Sequence, residues 1–386
     1  MRYLIVTYDD YFNIPYIKYY EDFLREQKQS YDIILWNRSG KHAEIPNSYV
    51  FNGKDSKRKI GKILPFLKWR RFVLKVLKKQ KYDRLIILTT IPAVLISDKL
   101  LRAYRGKYWL DVRDFTYESI PLYQKVVEKL TNAAGAVSIS SPAFQSFLPK
   151  SDHIYLTHNI SNQNAATENC DLDTNSDRFC IGFVGGIQFV EQNQVLLKKF
   201  ANHKRFLMRY VGKAHLGCDL PSFCEENGIR NAEFLPAFEN HQKPKIYQDI
   251  QLINSVYGCN SPVVRLALPN RLYDCALFKK PIIVSQNTYL AEVVQEHAMG
   301  VAVDVEHEDV VEKVEAYLKA FDRDAFINGC KKFLEKVNAE VEEYKNALRS
   351  FCTGVERDEY ESYQKGNSFL QKRGNQEHVD QNGGKS

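Results

Sequence analysis

Several features that would quickly narrow function are missing from this sequence. None of its eight cysteines falls in a CxxC pair, and all lie at or after Cys170 in a chain of 386 residues. Zinc-type spacing is therefore absent. A disulfide framework is out of keeping with so long a chain, so the thiols are read as reduced and buried in a cytosolic protein. Long hydrophobic runs are missing as well: the longest apolar stretch, 85–101, is interrupted by Thr89, Thr90, Pro92, Ser97 and Asp98. That stretch is too short and too polar to span a bilayer. The opening Met1-Arg-Tyr-Leu-Ile-Val-Thr-Tyr-Asp-Asp10 holds only a brief apolar run and reads as a first strand, not as a secretory leader. A soluble or peripheral protein is expected.

Hydrophobic content of 44% and charged content of 26% are those of a globular protein, and the length predicts two domains. The net charge of +7 is concentrated: between Lys54 and Arg84 thirteen Lys/Arg face two Asp, a local net of +11 that leaves −4 for the rest. Charge confined to one segment, with no recognisable nucleic-acid module, argues against a nucleic-acid partner. Within that segment Phe66, Trp69, Phe72, Val73, Val76 and Leu77 recur at helical spacing, with Lys and Arg over the remainder. Two readings are compatible: a helix packed on the sheet with a solvated basic face, and a basic rim drawn to anionic phospholipid.

Apolar runs alternate with helical patterns from end to end, the signature of βα units and parallel sheets. The strands expected first are 3–6, 32–36, 84–88, 108–111 and 136–140, with helices near 16–27, 66–79, 93–104 and 123–133. A second series starts at 179–184 and continues at 206–211, 233–235, 250–255, 281–285 and 301–303. The expected division is a first domain over 1–160, a polar linker over 161–177 and a second domain over 178–323. A long helix over 324–354 and a polar, disordered tail over 355–386 complete it.

Four places invite chemistry. Leu268-Pro-Asn-Arg-Leu-Tyr-Asp-Cys-Ala-Leu-Phe-Lys-Lys-Pro-Ile-Ile-Val-Ser285 reads as loop, helix and buried strand, with Arg271 at a helix mouth that can meet an anion. Ile181-Gly-Phe-Val-Gly-Gly-Ile187 runs a strand into Gly185-Gly186, which serves either close approach to a phosphate or a turn needing two positive φ angles. Lys213 ends the next strand as a second phosphate candidate. Trp109-Leu-Asp-Val-Arg-Asp114 brings Asp111, Arg113 and Asp114 to a sheet's carboxyl edge, where ligands of doubly wound sheets bind, or where Arg113 simply pairs with an aspartate.

The stretch from Leu268 resembles the donor-binding segment of GT-B type glycosyltransferases, roughly Pro-x-Lys-Leu-Tyr-Glu-x-x-Ala-x-Gly-Lys-Pro-Val-Ile, in the bacterial polysaccharide group. The resemblance implies an α/β fold of two Rossmann-like domains facing across a cleft, with closing helices returning to the first. It also implies donor-binding roles for Gly185, Gly186, Lys213, Leu235, Pro236, Asn270, Arg271 and Asp274, the last on the ribose hydroxyls. Acceptor contacts fall to Asp9, Asp10, Tyr11 and Arg113, and catalytic roles to Asp114, Arg271 and His158. The sequence departs from the pattern in two places. Leu266 stands where the fuller motif has an earlier Glu, and Ile187-Gln188 follows the glycine loop where a basic residue is common.

The expected activity is transfer of a sugar from a UDP- or GDP-linked donor to a surface-polysaccharide or lipid-linked acceptor, at the inner face of the cell membrane. No metal is implied, since no Asp-x-Asp stands where one is needed and Asp171-Leu-Asp173 falls in the linker. The alternatives are a nucleotide-sugar-binding protein that has lost catalysis and a nucleotide-sugar epimerase on the same scaffold.

Overall fold

The computed structural model describes residues 1–38, 40, 44–53, 63–160, 167, 169–215 and 217–354. The 54–62 part of the basic segment, most of 161–168 and the tail 355–386 lie outside them. The chain divides into two compact units. The first combines Met1–Ile139, Phe147–Leu156 and the chain from Val341, and the second combines Ser140–Ser146 with Thr157–Glu340.

The first unit is built on seven strands: β1 (Arg2–Val6), β2 (Ser30–Trp36), β3 (Ser48–Phe51), β4 (Arg84–Leu88), β5 (Tyr108–Val112), β6 (Ala136–Ile139) and β7 (Ile154–Leu156). They run parallel in the order β3-β2-β1-β4-β5-β6-β7, with Leu4 of β1 opposite both Asp32 and Leu85. Continuous Leu/Ile/Val runs form these strands because helices cover both faces, so alternation with polar residues is not needed. Tyr3, Ile5, Ile33, Ile86 and Trp109 share one core cluster with Tyr344, Leu348 and Phe351. The last three come from a single 31-residue helix, Arg323–Thr353, and the Tyr3 hydroxyl donates to the Cys352 carbonyl at 2.6 Å.

The second unit has six parallel strands, β8 (Phe179–Val184), β9 (Phe206–Val211), β10 (Ala232–Leu235), β11 (Leu252–Ser255), β12 (Ile282–Ser285) and β13 (Gly300–Val303), in the order β10-β9-β8-β11-β12-β13. Strand order reverses between β1 and β4 in one sheet and between β8 and β11 in the other. A crevice opens at the carboxyl end of such a reversal, which makes it the natural ligand edge of each unit.

Three local expectations are corrected. The helical pattern over 93–104 is two helices, Thr90–Leu95 and Ser97–Ala103, broken at buried Ile96, whose φ of −114° and ψ of 22° leave the helical region. The short edge strands β3 and β7 were not anticipated, because runs of four and three residues are too short to stand out as strands. The latter half of the expected linker is pinned down: Arg323 donates to the carbonyls of Cys170 at 2.9 Å and Leu172 at 2.6 Å, and Lys280 pairs with Asp171 at 2.6 Å. Among the described residues, no helix is long and apolar enough to cross a membrane.

Candidate functional site

In the second unit, two loops run side by side at the carboxyl ends of β8 and β9. Ile187 donates its N–H to the Lys213 carbonyl at 2.9 Å, and His215 donates to the Ile187 carbonyl at 2.9 Å, so Ile187 and Ala214 form a parallel bridge. The backbone is glycine-dependent at Gly185, with φ 128°, and at Gly212, with φ 143°. At Gly212 an added Cβ would lie 1.9 Å from the Gly185 carbonyl oxygen, a distance no side chain tolerates. Gly186 lacks a positive φ, so the alternative of a turn needing two such angles is corrected to one. A Cβ at Gly186 would sit 3.1 Å from His215 Nε2. Lys213 and His215 are both exposed at this edge. A basic side chain thus stands beside the glycine loop after all, contributed from the neighbouring strand's loop.

Arg271 is the second residue of the helix Asn270–Phe278, which starts directly after the N-capping Pro269. The residue is 4% exposed, and its guanidinium lies between β8 and β11, with Cζ 3.5 Å from the Phe183 ring centroid and 4.8 Å from that of Tyr257. One nitrogen donates to the Asn254 carbonyl at 3.0 Å, and another donates to the Tyr257 hydroxyl. Burial lowers its pKa to about 10, against smaller opposing contributions from Tyr247 and Asp274. The group therefore remains charged at neutral pH, and it forms no ion pair with another described residue. Tyr257 is held in place because Ser285 Oγ accepts the N–H groups of Tyr257 at 3.0 Å and Gly258 at 2.8 Å. Space for a ligand adjoins this loop. A cavity of 330 Å³ is lined by Phe189, Gln192, Tyr257, Asn260 and Ser261, and one of 200 Å³ shares Gln192 and Asn260 with it.

Asp274 is placed differently. It is 2% exposed, and both its oxygens lie 2.9 Å from Lys243 Nζ, with the Tyr247 hydroxyl donating at 2.9 Å. The carboxylate is consumed by a buried pair between two helices and is not presented at the open edge. His158 is also enclosed, one ring nitrogen 2.9 Å from the Tyr273 hydroxyl and the other 2.7 Å from Glu340 Oε2. Leu235, Pro236 and Asn270 are exposed, and the Leu235 carbonyl already accepts Gly212 N–H at 3.1 Å.

In the first unit, Asp111 is fully buried and holds Arg113, whose Nε lies 3.0 and 2.9 Å from its two oxygens. Ser138 Oγ also donates to Asp111 at 2.8 Å, and Trp109 donates to Ser138 at 2.8 Å. Arg113 stacks on Tyr16 at 4.5 Å, so the pair orders the edge and does not reach outward. Asp114, the next residue, is exposed. Protein packed around its carboxylate nevertheless raises its pKa above the ordinary value; Arg113 opposes that rise, while Asp111 and Glu118 add to it. Glu118 is 5% exposed and accepts from Thr90 Oγ1 at 2.6 Å. Of the expected acceptor loop, Asp9 caps its own turn, accepting Asp10 N–H at 2.8 Å and Asn13 Nδ2 at 3.1 Å, and Tyr11 donates to Glu21 at 2.5 Å.

The structure therefore gathers Gly185, Gly186, Lys213 and Arg271 in one region and leaves Asp274 and His158 in internal pairs. Sequence reasoning missed Gly212, His215, Tyr257 and Phe183. Only Gly212 carried a local signal, a glycine directly after a strand. Among the described residues, no three His, Cys, Asp or Glu side chains gather closely enough to hold a metal ion.

The sequence matches no family model and no curated protein. Solved structures do resemble it. Sucrose-phosphate synthase from Thermosynechococcus elongatus superposes with a TM-score of 0.66 at 12% identity, over 90% of this chain and 97% of that one. Anabaena Alr3699/HepE in complex with UDP gives 0.64 at 14% identity, over 91% and 100%. The lipopolysaccharide outer core galactosyltransferase WaaB in its apo form gives 0.60 at 12% identity, over 91% and 99%. At these identities the likeness establishes the fold: an α/β chain of two Rossmann-like domains of the GT-B type.

Proposed function

We propose that this chain is a glycosyltransferase whose second unit holds a nucleoside-diphosphate sugar at the β8/β11 strand reversal. The observation that carries this reading is Arg271, a buried, charged guanidinium with no carboxylate counterion among the described residues, set at the edge where such sheets take ligands. A cation kept at that cost suits an anion that arrives and leaves. Lys213 and His215 flank the glycine loop and add exposed donors for the same diphosphate. The fold is shared with a structure solved with UDP, which makes a uridine donor the first to test.

In the transfer step, an acceptor hydroxyl oxygen bonds the donor's anomeric carbon as the bond to the diphosphate oxygen breaks. The electron pair leaves on the diphosphate, where Arg271 and Lys213 neutralise it and His215 can donate a hydrogen bond. In an inverting course, Asp114 receives the hydroxyl proton. Its raised pKa makes it a stronger base than an ordinary carboxylate. The acceptor is a surface polysaccharide or a lipid-linked glycan. The basic helix Ile63–Lys79 supports an anionic membrane surface: Trp69, Val73 and Val76 are buried, while Ile63, Leu64 and Leu67 stand exposed among its lysines and arginines.

The experiment is a thermal-shift screen against UDP, GDP, ADP and CMP, followed by product analysis with the sugar of the best ligand. A rise in melting temperature with one nucleoside diphosphate and sugar transfer to an added glycan acceptor support the reading. Conversion of the donor sugar to its epimer instead makes the chain an epimerase. Binding with no turnover on any acceptor leaves a degenerate binder, and no shift at all removes the donor site.

A further inference from the structure

At the opposite, amino edge of the first unit's sheet lies a cavity of 1060 Å³ that the transferase reading does not use. Four cations line it, Lys78, Arg84, Lys99 and Lys107, against one carboxylate, Asp83. Asp83 is already engaged, accepting the Arg2 backbone N–H at 2.7 Å. None of the four cations forms an ion pair with another described residue, and Arg84 instead lies with its Cζ 4.8 Å over the Phe351 ring. A net charge of +3 in one concave site calls for an acidic occupant.

The chain itself supplies one at the cavity's rim. The helix Arg323–Thr353 ends in Gly354, with φ 74°. A Cβ at Gly354 would lie 3.1 Å from Met1 Cε and 3.5 Å from Arg84 Nη2, and both Met1 and Arg84 line the cavity. The next residues are Val355-Glu-Arg-Asp-Glu-Tyr-Glu361, in which four carboxylates accompany one arginine, a net of −3. They lie outside the described residues, and seven residues reach up to about 23 Å when extended. We propose that the acidic segment 356–361 docks in this basic cavity, its carboxylates meeting Lys78, Arg84, Lys99 and Lys107. Each exposed pair is weak alone. Tethering at Gly354 holds the segment at a local concentration in the millimolar range, so that several weak pairs act together.

The test is hydrogen exchange on the full-length protein, with a free peptide of residues 355–364 as the reference. Amides of 356–361 are expected to exchange about tenfold more slowly in the protein than in the peptide, with the protection lost in 1 M NaCl as charges are screened. The protection is also expected to vanish in K78E/K99E/K107E and to return when that variant also carries E356K/D358K/E359K. Exchange at the free-peptide rate in the wild-type protein overturns the proposal, and so does protection that survives both high salt and the lysine reversals. Should inorganic pyrophosphate or phosphatidylglycerol vesicles, and not the segment, protect the cavity-lining residues, the site takes an external anion and the proposal falls. The wild-type and salt arms decide the matter even if the triple variant fails to fold.

Discussion

Replacing Arg271 with methionine separates a guanidinium kept for a ligand from one kept for the fold. Methionine retains much of the apolar stem against Phe183 and Tyr257 and removes the charge. An arginine whose ordinary pKa is 12.5 and whose buried value is about 10 carries roughly 3 kcal/mol of destabilisation while charged, at about 1.36 kcal/mol per pH unit. That penalty is fully present below pH 10 and is relieved only as the pH rises from 10 toward 12.5, so it applies throughout the neutral range. Against it stand the bond to the Asn254 carbonyl at 3.0 Å and the stacking on two rings. A hydrogen bond to a charged group contributes about 1.5–3 kcal/mol and cation–π stacking about 2 kcal/mol when desolvated. The two sides differ by about 2 kcal/mol at most, so R271M should unfold in urea within about 2 kcal/mol of wild type. Its affinity for the preferred nucleoside diphosphate, measured by calorimetry, should fall by about 10- to 100-fold, the loss of one charge-assisted phosphate contact. Binding within threefold of wild type, or a stability loss above 3 kcal/mol, would refute the anion role and make Arg271 a structural residue.

Three further substitutions probe the remaining arrangement. D114N should lower kcat by about 10²- to 10⁴-fold and remove the acidic limb of the pH–rate profile, which in wild type should lie above the ordinary carboxylate value because Asp114 is raised; an unchanged limb assigns the base elsewhere. D274N leaves Lys243 buried beside a neutral amide and should cost about 3–5 kcal/mol in urea unfolding, whereas a loss below 1 kcal/mol would show that the pair is dispensable. G212A forces a Cβ against the Gly185 carbonyl and should either prevent folding or separate the two loops, raising the Kd for the nucleoside diphosphate by more than tenfold; wild-type binding would show the loops are independent.

What could be read in the sequence, and what could not, follows the range of the interactions involved. Strand runs such as Leu85-Ile-Ile-Leu and the helix-to-strand stretch from Pro269 to Ser285 are local patterns, and they fold as their periodicity suggests. The Gly185 turn was visible for the same reason. His215 was not, because it meets Gly186 only through the parallel bridge between Ile187 and Ala214. Lys243 was likewise invisible as the partner of Asp274, 31 residues away on another helix. Thr89, at the carboxyl end of β4, adopts φ 75°, which no side-chain pattern announces in a β-branched residue.

The distinction that matters most for function, between a buried charge that is satisfied and one that is not, belongs to this long-range class. Arg271 and Asp274 stand three residues apart on one helix and match one motif, so they look equivalent as text. Folded, Asp274 has Lys243 and Tyr247 on its oxygens, while Arg271 has a carbonyl, a phenol and two aromatic faces but no anion. Asp111 with Arg113, and His158 between Tyr273 and Glu340, fall on the satisfied side with Asp274. A satisfied pair gains nothing from a ligand, because binding must first break it. An unsatisfied cation gains what the fold withheld, so ligand free energy at this edge should concentrate on Arg271 and on its exposed neighbours Lys213 and His215. Substitutions at Asp111, His158 and Asp274 should then act through stability first.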